Sequence, residues 1–301
     1  MILSIAAMTI VASLHSTDST LDLINARIRG EPGATVGLAY MDLSSGDTLF
    51  ENADSSFHAA STMKVPVMIE LFRRAAAGAF SMSQSLLVVN QFASIVDGSS
   101  YSLDPGDDSD STLYHHIGDR VPIDSLLRLM ITRSSNLATD MLITLVGAEN
   151  VNRTMRSLGA ERIQVLRGVE DQKAFDKGLN NTTTARDLAI ILRAIEEGRA
   201  APPDATSTMR DVLLADEFNE KIPAGLPTGI RVAHKTGEIT AHSHDAAIVY
   251  PPGRKPYILV VLTRGIQDGA KANKLIADIS SIVYARNTSR ANLGNSSATQ
   301  Q

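Results

Sequence analysis

The sequence lacks cysteine altogether and is poor in aromatic residues, which make up 4% of the chain. Without cysteine there are no disulfides and no thiolate metal sites. Positive charge is not in excess: the formal net charge is −5, so the overall field gives no reason to expect nucleic acid or an anionic membrane as a partner. What is present, 44% hydrophobic and 20% charged residues over 301 positions, is typical of a globular protein with a sizeable core.

The two ends of the chain differ from the rest in composition. Residues 2–14 form an apolar run that is too short to span a bilayer and suits the core of a signal peptide. We therefore expect residues 1–16 to be a signal peptide, the protein to be periplasmic or secreted, and no stable membrane anchor to remain after cleavage. A frayed N-terminal helix is the alternative. Residues 287–301 are polar and are expected to form a disordered tail.

Hydrophobic periodicity divides the remainder into strands, helices and strands again. Strand patterns occupy residues 35–42, 48–51, 231–239, 244–250 and 257–264, and helical patterns occupy residues 21–28, 136–146, 184–197 and 272–283, with one more helix opening at Pro122. Strands at both ends around a helical middle predict a mixed α/β (α+β) fold, in which an antiparallel sheet built from both chain ends is flanked by helices and an all-helical lobe is added.

This pattern also predicts how the chain divides into domains. Residues 17–57 and 208–286 are expected to form a discontinuous α/β domain, and residues 58–207 a helical domain. A small-molecule site is expected in the cleft between them. Within the helical part, residues 97–110 are rich in acids, but their spacing is not that of a calcium loop and indicates a solvated insertion.

Three short motifs contain the residue types of acyl-transfer chemistry. In Ser61-Thr62-Met63-Lys64 the serine and lysine share one helix face, the helix N-terminus favours negative charge, and a desolvated lysine can take the serine proton. In Ser134-Ser135-Asn136 a hydroxyl can relay a proton and an amide can hold a substrate, although a helix cap is the simpler interpretation. In Lys235-Thr236-Gly237 the lysine can attract a carboxylate, the threonine can donate, and the glycine lets a backbone approach closely. Each motif alone is common by chance.

Taken in this order, S-x-x-K, S-x-N and K-T-G resemble the signature of penicillin-binding proteins and class A β-lactamases. The resemblance extends over about residues 35–283, and residues 245–252 also look like the strand that follows K-T-G in that family. It implies a β-lactamase/transpeptidase-like fold, a serine hydrolase and no metal or cofactor. By motif position it implies Ser61 as the nucleophile, Lys64 as a base and Ser134 as the proton shuttle. We expect the substrate to be bound by five residues, Asn136, Lys235, Thr236, Gly237 and the adjacent Glu238.

Class A β-lactamases add a glutamate that activates water for release of the acyl group, and Glu170 is the candidate here. It follows Arg167-Gly168-Val169, one residue longer than the family's usual Arg-x-Glu. The family continues E-x-x-L-N, but Ala174 stands where that asparagine belongs. Asn180 occurs later in the loop. The alternative interpretation of Glu170 is a partner for a loop cation such as Arg167.

Other departures concern the second and third motifs. Ser135 replaces the aspartate of the family's S-D-N, and Glu238 follows Gly237, where its charge would oppose an anionic substrate if it faced the cleft. His242 and His244 near Asp245 are more typical of surface residues than of a metal site.

Three functions therefore remain open. The leading expectation is opening of a β-lactam amide through a Ser61 acyl-enzyme, with Glu170 as the base that releases it. A D-alanyl-peptide peptidase or esterase of the same fold, with slow β-lactam turnover, is the alternative. A non-catalytic ligand-binding sensor is more remote, because a pure binder does not need a lysine aimed at a serine. The expected partner is a small molecule, and the protein is expected to be a monomer.

Overall fold

The computed structural model describes residues 19–298 and, for side chains, residues 19–289. The signal-peptide prediction for residues 1–16 lies outside the described residues. Among those that are described, no helix is both long enough and apolar enough to cross a membrane.

A five-stranded sheet joins the two ends of the chain, as predicted. Its strands, in chain order, are β1 (Thr35–Asp42), β2 (Thr48–Glu51), β9 (Arg231–Ile239), β10 (His242–Tyr250) and β11 (Tyr257–Arg264). They lie in the order β2-β1-β11-β10-β9, and every neighbouring pair is antiparallel. Four strands have the predicted bounds, and β10 begins two residues earlier than expected. The edge strand β9 therefore carries the K-T-G motif.

Both faces of the sheet are covered, because alternate side chains of the central strands enter two separate apolar clusters. On one face Leu38, Tyr40 and Leu259 pack with α1 (residues 19–29) and α9 (Gly269–Ala298). On the other face Ala39 and Val260 pack with the helical part of the chain. This accounts for the long buried runs in β10 and β11.

Seven helices stand between the two halves of the sheet. They are α2 (Lys64–Ala76), α3 (Ile123–Thr132), α4 (Asn136–Val146), α5 (Ala148–Ser157), α6 (Gln172–Asp176), α7 (Ala185–Glu196) and α8 (Pro203–Leu213). The helix starts at Pro122, Asn136 and Thr184 are confirmed. The Thr184 hydroxyl caps α7 by accepting the Asp187 N–H at 3.1 Å. The domain boundary expected at residue 207 falls inside α8, and the division into two domains stays a prediction.

The prediction of an all-helical middle is wrong in detail. Three two-stranded pairs interrupt it: β3 (Phe57–His58) with β8 (Thr182–Thr183), β4 (Ser85–Leu87) with β7 (Arg120–Pro122), and β5 (Phe92–Ala93) with β6 (Ser100–Tyr101). These strands have two or three residues each, which is too short for a periodicity to be recognised in the sequence.

The predicted disordered tail is also wrong for residues 287–298, which continue helix α9. Asn287 is buried, and its amide donates to the Tyr40 hydroxyl at 2.9 Å. The Arg254 guanidinium also donates to the carbonyl of Asn287. The polar side chain of Asn287 is therefore buried and hydrogen-bonded to the sheet, although its polarity had suggested a disordered segment.

Candidate active site

Ser61 lies in a tight turn that leads into helix α2. The turn is a 3-10 helix, Ala60–Met63, and Ala60 has a left-handed backbone with φ of 45°. The Nδ1 atom of His58 accepts the Ala60 N–H at 3.1 Å, which helps to hold this unusual conformation. Ser61 is therefore placed at the N-terminal end of a helical segment, as the sequence predicted.

Strand β9 passes directly against this turn at Gly237. A Cβ atom added at Gly237 would lie 3.0 Å from the backbone nitrogens of Ser61 and Thr62. A larger residue would force the nucleophile turn and the strand apart by a few tenths of an ångström, and glycine avoids this. The backbone of the K-T-G strand and the N–H of Ser61 consequently line the same narrow space.

The ammonium of Lys64 is buried and makes three hydrogen bonds to the second motif. It donates to the carbonyl of Ser134 at 2.6 Å, to the Ser134 hydroxyl at 3.1 Å and to the Asn136 side-chain oxygen at 3.0 Å. Burial, reinforced by the positive charge of Lys235, lowers the pKa of Lys64 to about 7. A substantial fraction of this lysine is therefore neutral near neutral pH and able to accept a proton.

The Ser134–Asn136 segment is a strained turn rather than a simple cap. Ser134 is buried and has a left-handed φ of 58°. The cap of α4 is Ser135, whose hydroxyl accepts the Ala138 N–H at 3.3 Å. The carboxylate of Asp108 accepts the N–H groups of Asn136 and Leu137 at 2.9 Å. The acid-rich segment thus supplies a negative charge at the start of α4, where Ser135 has none, and is more than a solvated insertion.

Glu170 is joined to this cluster through Asn136. The Asn136 amide donates to one Glu170 oxygen at 3.3 Å, and the backbone N–H of Asp104 donates to the other at 3.1 Å. Partial burial raises the pKa of Glu170 above its usual range. Asn136 therefore bridges Lys64 and Glu170, and the structure brings these side chains together with Ser134.

The loop that carries Glu170 is fixed by Arg167, but not through an ion pair with Glu170. The Arg167 guanidinium donates to the carbonyls of Gly168 and Val169 and to the Asn180 side chain. Asn180 therefore belongs to the stem of the loop. Ala174 is fully buried in the short helix α6, so the position of the family's asparagine has no polar side chain.

Lys235 is fully buried in β9 and already has a counter-ion. Its ammonium lies 3.4 Å from the carboxylate of Asp216, which is also fully buried. Burial lowers the pKa of Lys235 and raises that of Asp216. Thr236, the next residue of the strand, is buried beside it. The positive charge of Lys235 also acts on Lys64, whose pKa it helps to lower.

This fold has many relatives. The β-lactamase enzyme family matches residues 21–286. The chain belongs to that family. It is 29% identical over 273 residues to the β-lactamase AST-1 of Nocardia asteroides, covering 89% of this chain and 84% of the relative. The identification as a relative of the class A β-lactamases and the prediction of a hydrolase are confirmed.

Two solved structures extend the comparison to the fold. A β-lactamase from Sphaerobacter thermophilus is 27% identical, with a TM-score of 0.76 over 89% of this chain and 97% of that one. The L158E mutant of PBP-A, solved as an acyl-enzyme complex with penicillin G, is 26% identical, with a TM-score of 0.77 over 91% of this chain and 97% of that one. The predicted β-lactamase/transpeptidase-like fold is therefore confirmed.

Asp140 is a member of this candidate site that the sequence analysis missed. Its buried carboxylate accepts the Val169 N–H at 2.7 Å and the Tyr101 hydroxyl at 2.8 Å, and so holds the residue before Glu170. Burial raises the pKa of Asp140 to about 6. The available signal was its position four residues after Asn136 on α4, which places both side chains on one helix face.

His244 is fully buried beneath the nucleophile turn, next to the half-buried His58, so the expectation of a surface residue is wrong for His244. The Nε2 atom of His244 donates to the carbonyl of His58 at 2.9 Å, and its Nδ1 atom accepts the Thr263 N–H at 3.2 Å. Asp245 pairs instead with His234, at 3.0 Å. In residues 19–298 no group of three His, Asp or Glu side chains is arranged to hold a metal ion.

Acid is expected to destabilise the fold through His58 and His244. Burial lowers the pKa of His58 to about 4 and of His244 to about 3. The unfolded chain binds protons below about pH 6.5, whereas the folded chain does not, so the free energy of unfolding falls as the pH drops from about 6.5 to about 4. Denaturant unfolding at several pH values measures this slope. The His244→Phe variant should flatten it by about 1.4 kcal/mol per pH unit, and the matched His115→Asn change at an exposed histidine should not.

Proposed function

We propose that this protein opens the amide bond of a β-lactam through an acyl-enzyme on Ser61. The observation that carries the proposal is the hydrogen-bonded series Lys64–Asn136–Glu170, which lies beside Ser134 and the Ser61 turn. A base, a proton donor and a water-activating carboxylate are thereby held in one cluster. The substrate is a small molecule, and the apolar run at residues 2–14 favours a periplasmic or secreted enzyme.

In the first half of the reaction the Ser61 hydroxyl attacks the lactam carbonyl. Neutral Lys64 takes the hydroxyl proton, and the Ser61 oxygen bonds to the carbonyl carbon. The backbone N–H of Ser61 and that of the strand beside Gly237 stabilise the oxyanion. The lactam C–N bond then breaks, and Ser134 delivers a proton to the leaving nitrogen, which Lys64 replaces through its hydrogen bond to that hydroxyl.

In the second half Glu170 removes a proton from a water that attacks the acyl carbon. The bond between that carbon and the Ser61 oxygen then breaks, and the proton that Glu170 removed is returned to the Ser61 oxygen. The raised pKa of Glu170 suits a base that works near neutral pH. Asn136 holds Glu170 in place through the hydrogen bond from its amide. Together with Thr236 and the positive charge of Lys235, Asn136 also orients an anionic substrate.

A second function keeps the nucleophile and changes the substrate to a D-alanyl peptide or an ester. It is favoured by one observation, the buried Ala174 in place of an amide that would help to position water. It predicts rapid acylation by a penicillin followed by slow release. The likeness to PBP-A supports this alternative only at the level of the fold and of acylation in that protein.

Turnover of nitrocefin by the purified protein tests the proposal, with Ser61→Ala as the inactive reference. We expect multiple turnovers by the wild type and a loss of at least about a thousandfold in the variant. Intact-mass spectra after mixing with a penicillin should show an adduct that decays in the wild type and never forms in Ser61→Ala. A single burst with a persistent adduct would support the peptidase or esterase instead. The absence of both turnover and adduct in folded protein would leave the sensor.

A further inference from the structure

Two buried lysines lie at the K-T-G strand, and they differ in how their charge is balanced. Lys235 is paired with Asp216, and both side chains are fully buried. Lys221 is nearly as buried, with 2% of its side chain exposed, but its partners face solvent. A buried ammonium without a buried counter-ion is costly, because desolvation is repaid only by nearby negative charge. The charge of Lys221 is therefore balanced by solvent-exposed carboxylates, which another anion can replace.

Glu238 currently supplies most of that negative charge. Its carboxylate lies 3.3 Å from the Lys221 ammonium, whereas that of Glu220 lies 3.9 Å away. About half of the Glu238 side chain is exposed, at 53%. A side chain so exposed can turn away from Lys221 at little cost, since solvated ion pairs are weak.

The pair lies beside the turn that carries Ser61. Glu238 directly follows Gly237, whose backbone touches the Ser61 turn. The Lys221 charge is also felt by Lys235 and by His244, which lie along the same strand pair. The Lys221–Glu238 contact is thus at the margin of the reacting centre, next to the backbone proposed to hold the oxyanion.

We propose that Glu238 is an internal competitor that occupies the anion-binding position of Lys221 and so determines substrate charge preference. This inference rests on the proposed function and adds to it a specificity-determining residue. A substrate that carries a carboxylate must displace Glu238 before it can use Lys221. A substrate whose carboxylate is masked as an ester does not compete for Lys221, so its binding is insensitive to Glu238. The wild-type protein should therefore bind the free acid and its ester with similar affinity.

Kinetics with a matched pair of substrates test this directly. Benzylpenicillin and its methyl ester share the reacting ring and differ in the negative charge. In Glu238→Gln we expect KM for the free acid to fall by about fivefold, with KM for the ester unchanged. The control is Glu217→Gln, which removes the same charge from an exposed glutamate paired with Arg133. It should leave the ratio of the two KM values as it is in the wild type.

Removing the lysine provides the second arm. The Lys221→Met variant lacks the cation for which Glu238 and the substrate carboxylate compete. Adding Glu238→Gln to Lys221→Met should therefore leave KM unchanged for both the free acid and the ester. Equal shifts for acid and ester in Glu238→Gln, or the same shift in the Lys221→Met background, would overturn the inference. Thermal melts of each variant show whether it remains folded.

Binding measured without chemistry separates this inference from the proposed hydrolysis. In a Ser61→Ala background, calorimetry with the intact acid and ester gives dissociation constants that do not depend on turnover. If the wild type hydrolyses neither substrate, the proposed function fails. The inference still stands if Glu238→Gln tightens binding of the acid alone, and it falls if the acid and the ester respond alike.

Discussion

Replacing Lys64 by methionine is expected to slow acylation of Ser61 by about a hundred- to ten-thousandfold, the range that a positioned general base contributes. Methionine has a similar length and places no titratable group at this position. The three hydrogen bonds to Ser134 and Asn136 are lost as well. Stopped-flow measurement of adduct formation with a penicillin reports this step alone. Lys274→Met, which removes an exposed lysine paired with Asp278 on α9, should leave acylation unchanged.

The pH dependence of the same step distinguishes a base from a structural lysine. Because the pKa of Lys64 is lowered to about 7, acylation by the wild type should rise with pH through about 7 and then level off. Below that pH the ammonium is protonated and cannot accept the Ser61 proton. If the Lys64→Met variant keeps the wild-type acylation rate and its rise near pH 7, another group is the base.

The architecture could largely be predicted from the sequence because the sheet strands have long apolar runs bounded by turn residues. The strands Thr35–Asp42 and Arg231–Ile239 have the bounds that their patterns indicated. The end of α9 could not be predicted in this way. Asn287 is polar in composition, and only the sheet residue Tyr40, far away in the chain, explains its burial. Contacts of this kind leave no periodic signal.

The sequence motifs identified the residues of the candidate site by residue type and by their order in the chain. The hydrogen bonds between these residues could not be predicted from the motifs. S-x-x-K and S-x-N predicted which side chains to examine, whereas the hydrogen bonds from Lys64 to the Ser134 carbonyl and to Asn136 depend on how α2 meets α4. Likewise, the pairing of Lys221 with Glu238 joins a loop residue to a strand residue. Neither belongs to a helical or strand repeat, so only the folded chain reveals them.

Asn136 and Asp140 together explain how one helix can set the position of Glu170, the proposed deacylating group. Asn136 contacts the Glu170 side chain, and Asp140 holds the backbone N–H of Val169 beside it. A larger residue at position 168 would push on the Tyr101 hydroxyl and on the Asp140 carboxylate that accepts its hydrogen bond, because a Cβ atom there would lie closest to that hydroxyl and 2.5 Å from an Asp140 oxygen. The longer Arg167-Gly168-Val169-Glu170 segment is thus accommodated by a buried carboxylate and a glycine.

Replacing Glu170 by glutamine is expected to stop the reaction after acylation. Glutamine keeps the shape of the side chain and an oxygen able to accept the Asn136 amide or the Asp104 N–H, but it cannot remove a proton from water. Steady-state turnover should fall by about a hundred- to ten-thousandfold, while the burst that reports acylation remains. The penicillin adduct on Ser61 should then persist in intact-mass spectra.

The matched control for this change is Asp107→Asn. Asp107 is an exposed acid whose charge helps to raise the Glu170 pKa without contacting Glu170 in a hydrogen bond. It should leave turnover intact, so a loss confined to Glu170→Gln identifies proton removal rather than local charge as the cause. Wild-type turnover in Glu170→Gln would instead make Glu170 a loop partner of Asn136. A third result is that the wild type also retains its penicillin adduct for as long as the Glu170→Gln variant does. That result would mean that Glu170 does not activate water for release of the acyl group in a loop that contains Ala174. It would support the peptidase or esterase alternative.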